Sequence, residues 1–107
     1  MRRSCFAKIY ADFSDNNKVY NMLLLATNSA GMSVLQASKH EFYPQGLTAA
    51  LLLAESHVTI HTYPEESIAY VDCFSCGEVS PSQVIHQFAQ MIHGGIESMQ
   101  EDVRDSV

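Results

Sequence analysis

Residues 57–74, HVTIHTYPEESIAYVDCF, decide how this chain is read. His57, Thr59, His61 and Tyr63 alternate with Val58, Ile60 and Thr62, the period-two pattern of a β-strand. Pro64-Glu65-Glu66-Ser67 is turn chemistry, and Ile68 to Phe74 runs on as another strand. The stretch therefore predicts a hairpin.

Working upstream, Leu47 to Leu53 is a short and almost wholly apolar run, which reads as a strand buried on both faces. Met32 to Phe42 precedes it across Tyr43-Pro44-Gln45-Gly46, whose Pro and Gly mark a turn, so these two segments form a second hairpin. Nearer the start, Phe6 to Phe13 alternates imperfectly and reads as a first strand. Ser14-Asp15-Asn16-Asn17 then offers N-cap residues to Val19, Met22, Leu23, Leu24 and Leu25, which are spaced for one helical face closing near Gly31.

Downstream of the quoted stretch, Ser80-Pro81-Ser82 carries helix-start chemistry. Val84, Ile85, Phe88, Met91 and Ile92 recur at helical spacing until Gly94-Gly95 stops them. Ile96 to Val107 is acidic and weakly patterned, a poor edge strand or a frayed tail. The order β-α-β-β-β-β-α predicts an α+β two-layer sandwich, an antiparallel sheet with two helices packed on one face.

A chain of 107 residues holds one core, so a single domain over 1–107 is expected. Hydrophobic residues make up 47% and charged residues 17%, too apolar for a disordered chain. The net charge of −6, with basic residues scattered from Arg2 to Arg104, argues against nucleic acid as a partner. The longest apolar run, Ala49 to Ala54, is far short of the roughly 20 residues a membrane span needs, and no apolar segment follows Met1-Arg-Arg. A cytoplasmic protein with no membrane partner is expected. Three cysteines, an odd number, argue for reduced thiols over a disulfide framework.

Taken one at a time, the reactive residues say little. Glu55-Ser56 lacks the glycine-flanked elbow that exposes a hydrolase serine. His57 and His61 are four apart and share a face in helix or strand, yet no Glu follows the first histidine as a metalloprotease motif requires. Cys73-Phe-Ser-Cys76 is a lone CxxC outside any βαβ unit, and in a strand its two thiols point to opposite faces. Pro64-Glu65-Glu66 and Phe42-Tyr43-Pro44-Gln45-Gly46 read equally well as plain turns.

Taken together, ESHVTIHTYPE (residues 55–65) and YVDCFSCG (residues 70–77) closely resemble the processing region of the prokaryotic S-adenosylmethionine decarboxylase proenzymes, a pyruvoyl-dependent family. The resemblance is strong from Lys39 to Glu78 and weak at the C-terminus. It implies self-cleavage between Glu55 and Ser56, giving a β chain of residues 1–55 and an α chain of 56–107. Ser56 would become a pyruvoyl group that forms a Schiff base with the substrate amine and takes up the electrons left by CO₂, with no metal and no pyridoxal phosphate. By the same resemblance His61 moves protons during processing, Cys76 reprotonates the α-carbon, and Thr48 stands where a family serine supplies a hydroxyl near the scissile carbonyl. Phe42 matches an aromatic that stacks on adenine, and Glu65 a carboxylate that accepts from ribose hydroxyls.

The activity so implied is decarboxylation of S-adenosylmethionine to the aminopropyl donor of spermidine biosynthesis, in a homodimer whose sites lie at the interface. Decarboxylation of arginine or ornithine on the same scaffold, an unprocessed non-catalytic relative, and a small metal or thiol-redox protein using His57, His61, Cys73 and Cys76 are the alternatives. The family reading carries one geometric requirement. An unbroken strand would hold Ser56 and His61 roughly 16 Å apart on opposite faces, so a bend is expected near Ser56. Tyr63 and Gln45 replace a tryptophan and a tyrosine usual in the family, and the acidic tail replaces a basic strand.

Overall fold

The hairpin of residues 57–74 forms as β4 (Ser56–Tyr63) and β5 (Ile68–Ser75), joined by a short 3-10 turn at Pro64–Glu66. Their register pairs His57 with Phe74, Thr59 with Asp72 and His61 with Tyr70. A computed structural model describes residues 1–105, and residues 106–107 of the acidic tail lie outside the described residues. Around this hairpin stand β1 (Arg3–Tyr10), α1 (Asn16–Ser29), β2 (Val34–Glu41), β3 (Leu47–Leu53), α2 (Pro81–Met91) and β6 (Gly95–Val103). The six strands make one antiparallel sheet in the order β2-β3-β4-β5-β1-β6. Both helices pack on the same side of it, so the α+β sandwich stands.

Alternation decides which face meets the helices. Cys5, Ala7 and Ile9 of β1, Val58 and Ile60 of β4, and Ala69, Val71 and Cys73 of β5 are buried against Val19, Leu23 and Ala26 of α1 and Val84, Ile85 and Phe88 of α2. Burying a side chain the size of Phe88 contributes about 2–3 kcal/mol. The opposite face is open among the described residues, and it exposes Phe6, Tyr10, Leu52, Tyr63 and Tyr70.

That open face corrects two sequence expectations. Leu47–Leu53 is not buried on both faces: Leu47, Ala49, Leu51 and Leu53 point into the core, while Leu52 is half exposed. An apolar run longer than its buried face hides the alternation. In the first strand the pairing begins at Arg3 and ends at Tyr10, with Phe6 and Tyr10 outward and small Cys5 and Ala7 inward, so the aromatic pattern marked the open face. Phe13 is buried, but from the loop after the strand.

The weakly patterned tail forms an edge strand over nine residues, paired with β1 and interrupted by a bulge between Lys8 and Ile9. Glu97 sits at that irregularity and its carboxylate lies 2.9 Å from the Lys8 ammonium. A bulge and charges on an edge discourage pairing with other chains.

The helix ends follow local chemistry. The Asp15 carboxylate accepts from the Lys18 amide at the start of α1, and Gly31 at φ +99° ends it. At the end of α2 the left-handed residue is His93, φ +56°, and not a glycine. Gly94 answers to a different need: a Cβ there would lie 2.6 Å from the Tyr10 carbonyl oxygen.

Candidate active site

Leu53 pairs with Ser56, so β3 and β4 are joined by a two-residue turn, Ala54-Glu55. Glu55 lies at φ +58°, a left-handed conformation that costs a side-chain-bearing residue roughly 1–2 kcal/mol. The Glu55–Ser56 peptide therefore leaves a strained turn and enters a regular ladder. This turn lies before Ser56, so it does not bring Ser56 toward His61 as the family reading required. From Ser56 to Tyr63 β4 runs unbroken, because every residue from Ser56 to His61 is paired with β3.

Ser56 itself is half-buried at one end of the sheet. Its hydroxyl accepts a hydrogen bond from the Cys76 amide at 3.2 Å and lies 3.8 Å from the Cys76 sulfur, toward which it donates. Cys76 is the first residue beyond β5, and both side chains line a cavity of about 260 Å³ with Leu53, Ser75 and Val79. Glu55 and Cys76 also share a shallower depression beside Arg2 and Asp105. The three cleavage and catalysis candidates Glu55, Ser56 and Cys76 are thus brought together.

The remaining candidates assemble elsewhere. Thr48 of β3 pairs with His61 of β4, and the Thr48 hydroxyl lies 3.0 Å from His61 Nδ1. Phe42, Glu65, Thr48 and His61 line one pocket of about 350 Å³ with Tyr63 and Gln45. Phe42 is half exposed at its rim, with the His40 ring edge-on at 4.6 Å. The pocket offers an aromatic face, a carboxylate and an imidazole whose Nδ1 is already engaged, which leaves Nε2 to exchange protons.

Within one chain these two groups do not meet. Ser56 follows the parity of the inward residues of β4, whereas His61 lies on the open face five residues further on, roughly 16 Å away. The expected bend between them is absent for a physical reason: both edges of β4 are hydrogen-bonded to neighbours, which keeps the ladder straight.

The metal and redox grouping also separates. Cys73 is buried in the core directly across from Cys5, while Cys76 faces the Ser56 cavity. Burial pushes the Cys73 thiol up to about 12 and the Cys5 thiol up to about 11, so both are poor nucleophiles. His57 stacks on Phe74 at 5.7 Å on the open face, and no cluster of three or more metal-ligating side chains occurs among the described residues.

Sequence reasoning passed over Ser75 and Arg3. The Ser75 hydroxyl donates to the Val79 carbonyl at 2.7 Å and the Arg3 guanidinium to the Glu78 carbonyl at 3.3 Å, so both tie down the loop that carries Cys76. A serine on the otherwise apolar inward face of a strand was the available signal.

Comparison with known proteins bears on the family and the fold. A family model described as S-adenosylmethionine decarboxylase matches residues 7–105. A proenzyme of that name from Thermodesulfovibrio yellowstonii is 36% identical over 86 residues, covering 80% of this chain and 62% of that protein. S-adenosylmethionine decarboxylase proenzyme 2 of Bacillus cereus is 47% identical over 62 residues, covering 58% of this chain and 50% of that protein. The matched stretches thus span only about half to three fifths of these relatives' length. The adenosylmethionine decarboxylase of Aquifex aeolicus shares the fold, with a TM-score of 0.80 at 21% identity over all of this chain and 96% of that one. The chain belongs to the S-adenosylmethionine decarboxylase family.

Proposed function

We propose that this chain is a self-cleaving proenzyme whose mature form decarboxylates S-adenosylmethionine. The observation that carries the reading is the Ser56 hydroxyl, held by the Cys76 amide beside the left-handed Glu55 turn.

In the first step Ser56 Oγ bonds to the Glu55 carbonyl carbon while the bond from that carbon to the Ser56 nitrogen breaks. The hydroxyl proton passes to the nitrogen, and the amide becomes an ester. Loss of the Ser56 α-proton then expels the Glu55 carboxylate together with Oγ, leaving a carbon-carbon double bond. Tautomerisation, addition of water and departure of ammonia leave a pyruvoyl group on the fragment that begins at residue 56. Strain at Glu55 favours the first step because opening the turn relieves it.

The residues present fit such a group: the cavity at Ser56 is open to a small ligand, and the Cys76 thiol and amide already lie against the side chain of Ser56, the residue that becomes the group. The pyruvoyl group supplies an electron sink for the departing carboxylate. Cys76, whose sulfur lies 3.8 Å from the Ser56 hydroxyl, returns a proton there. Phe42 and Glu65 offer an adenine-stacking face and an acceptor for ribose hydroxyls, and His61, oriented by Thr48, exchanges protons.

The separation of the two groups supports a homodimer. Two copies related by a two-fold axis place the Ser56 and Cys76 half of one protomer against the Thr48, His61, Phe42 and Glu65 half of its partner, and complete two sites at once. The aromatic open face gives such a dimer apolar surface to cover. A cytoplasmic setting suits reduced cysteines, and no helix among the described residues is long and apolar enough to cross a membrane.

Denaturing mass spectrometry tests the reading. Two fragments breaking between residues 55 and 56 are expected, and Ser56→Ala should leave one chain. An intact 11.9 kDa chain after prolonged incubation would refute cleavage. Side-by-side assays of CO₂ release from S-adenosylmethionine, arginine and ornithine test the substrate.

A further inference from the structure

On β5 the residues facing the helices are Ala69, Val71, Cys73 and Ser75, and Ser75 alone among them carries a hydroxyl. It is fully buried at 1% exposure. A hydroxyl taken from water into a core needs a partner, and alanine or valine would fill the position without that need. The hydroxyl is used on the chain that follows it. It donates to the Val79 carbonyl at 2.7 Å and accepts from the Gly77 amide at 3.4 Å, closing residues 75–79 into a tight loop. From the other side Arg3, which is registered opposite Ser75 on β1, donates to the Glu78 carbonyl.

Cys76 lies inside that loop. Its amide reaches the Ser56 hydroxyl at 3.2 Å and its sulfur stands 3.8 Å from the same oxygen. Among the described residues no other hydrogen bond holds Cys76, so its position relative to Ser56 depends on how the loop is held.

We infer that Ser75 is a positioning residue, which sets the reach of Cys76 to the reacting centre at residue 56 by clamping the loop 75–79. The inference rests on the decarboxylase reading for its catalytic consequence but not for its structural one. Ser75 borders the 260 Å³ cavity, and threonine keeps the hydroxyl while valine has the same shape without it.

The test compares Ser75→Thr, Ser75→Val and Ser75→Ala in the full chain. Three quantities are read: the iodoacetamide alkylation rate of Cys76 located by peptide mass, the half-time of cleavage, and kcat and KM after cleavage. Buried Cys5 and Cys73 leave the alkylation signal to Cys76. Valine and alanine should change the Cys76 alkylation rate, slow cleavage and lower kcat by about tenfold with KM little changed, since a small misplacement of a reacting group costs that much. Threonine should restore all three. Parental alkylation and kcat in both hydroxyl-free variants would overturn the inference, and so would a loss that threonine does not repair. Should valine fail to fold, alanine decides. If the parental chain neither cleaves nor releases CO₂, the functional reading fails, while the alkylation series still decides the role of Ser75.

Discussion

Ser56 and His61 lie five residues apart on one unbroken strand and face opposite sides of the sheet. If one reaction uses both, it uses them from different chains. Co-expression of Ser56→Ala with His61→Ala then restores one complete site in each mixed dimer, for roughly a quarter of all sites under random pairing. The fragment beginning at residue 56 should come only from the His61→Ala chain. Absence of cleavage in the mixture, with each parent protein dimeric, would show that no site is shared.

The left-handed Glu55 sets a second expectation. Glu55→Gly should stabilise the uncleavable Ser56→Ala protein by about 1 kcal/mol, because glycine adopts that conformation freely. In the cleavable chain the same change should slow the break, since less strain is released. Thermal melts and a cleavage time course read the two effects, and faster cleavage without added stability would refute the role of strain.

Cys5 and Cys73 define an alkaline limit. Below about pH 8.5 folded and unfolded chains both keep these thiol protons, so the pair leaves stability independent of pH there. Above it the unfolded chain releases them while the folded chain holds them to about 11 and about 12, so stability falls as pH rises. Urea titrations from pH 8 to 11 should show this slope, and Cys73→Ala should flatten it. An equal slope in that variant would place the alkaline loss elsewhere.

At the end of α2, His93→Gly should stabilise by about 1 kcal/mol by relieving the left-handed backbone. Gly94→Ala should destabilise by about 1–3 kcal/mol, because its Cβ meets the Tyr10 carbonyl. Melting curves that rank the two variants the other way would contradict the packing of this turn against β1.

Much of the fold was legible because it is local. Alternation over 57–63 marked β4, the Asp15 cap and Gly31 bounded α1, and helical spacing from Val84 to Ile92 marked α2. Leu47–Leu53 misled because leucines fill both sides of a strand that has only one covered face. The edge strand from Gly95 to Val103 was faint because β1, and not any apolar stripe of its own, holds it in place. At the site, the ordered motif named Glu55, Ser56, His61 and Cys76, but spacing along the chain could not say which of them meet.

By itself the sequence determined the types of most elements, two of the hairpin turns and the set of reactive side chains, since these follow from periodicity and turn chemistry within a few residues. Only the tertiary structure decided that β4 stays straight between two partners, that Ser56 goes with Cys76, and that His61 goes with Thr48 on the open face. The reason is physical: hydrogen bonds across the sheet join residues distant in sequence, and they set the face and end at which each side chain stands.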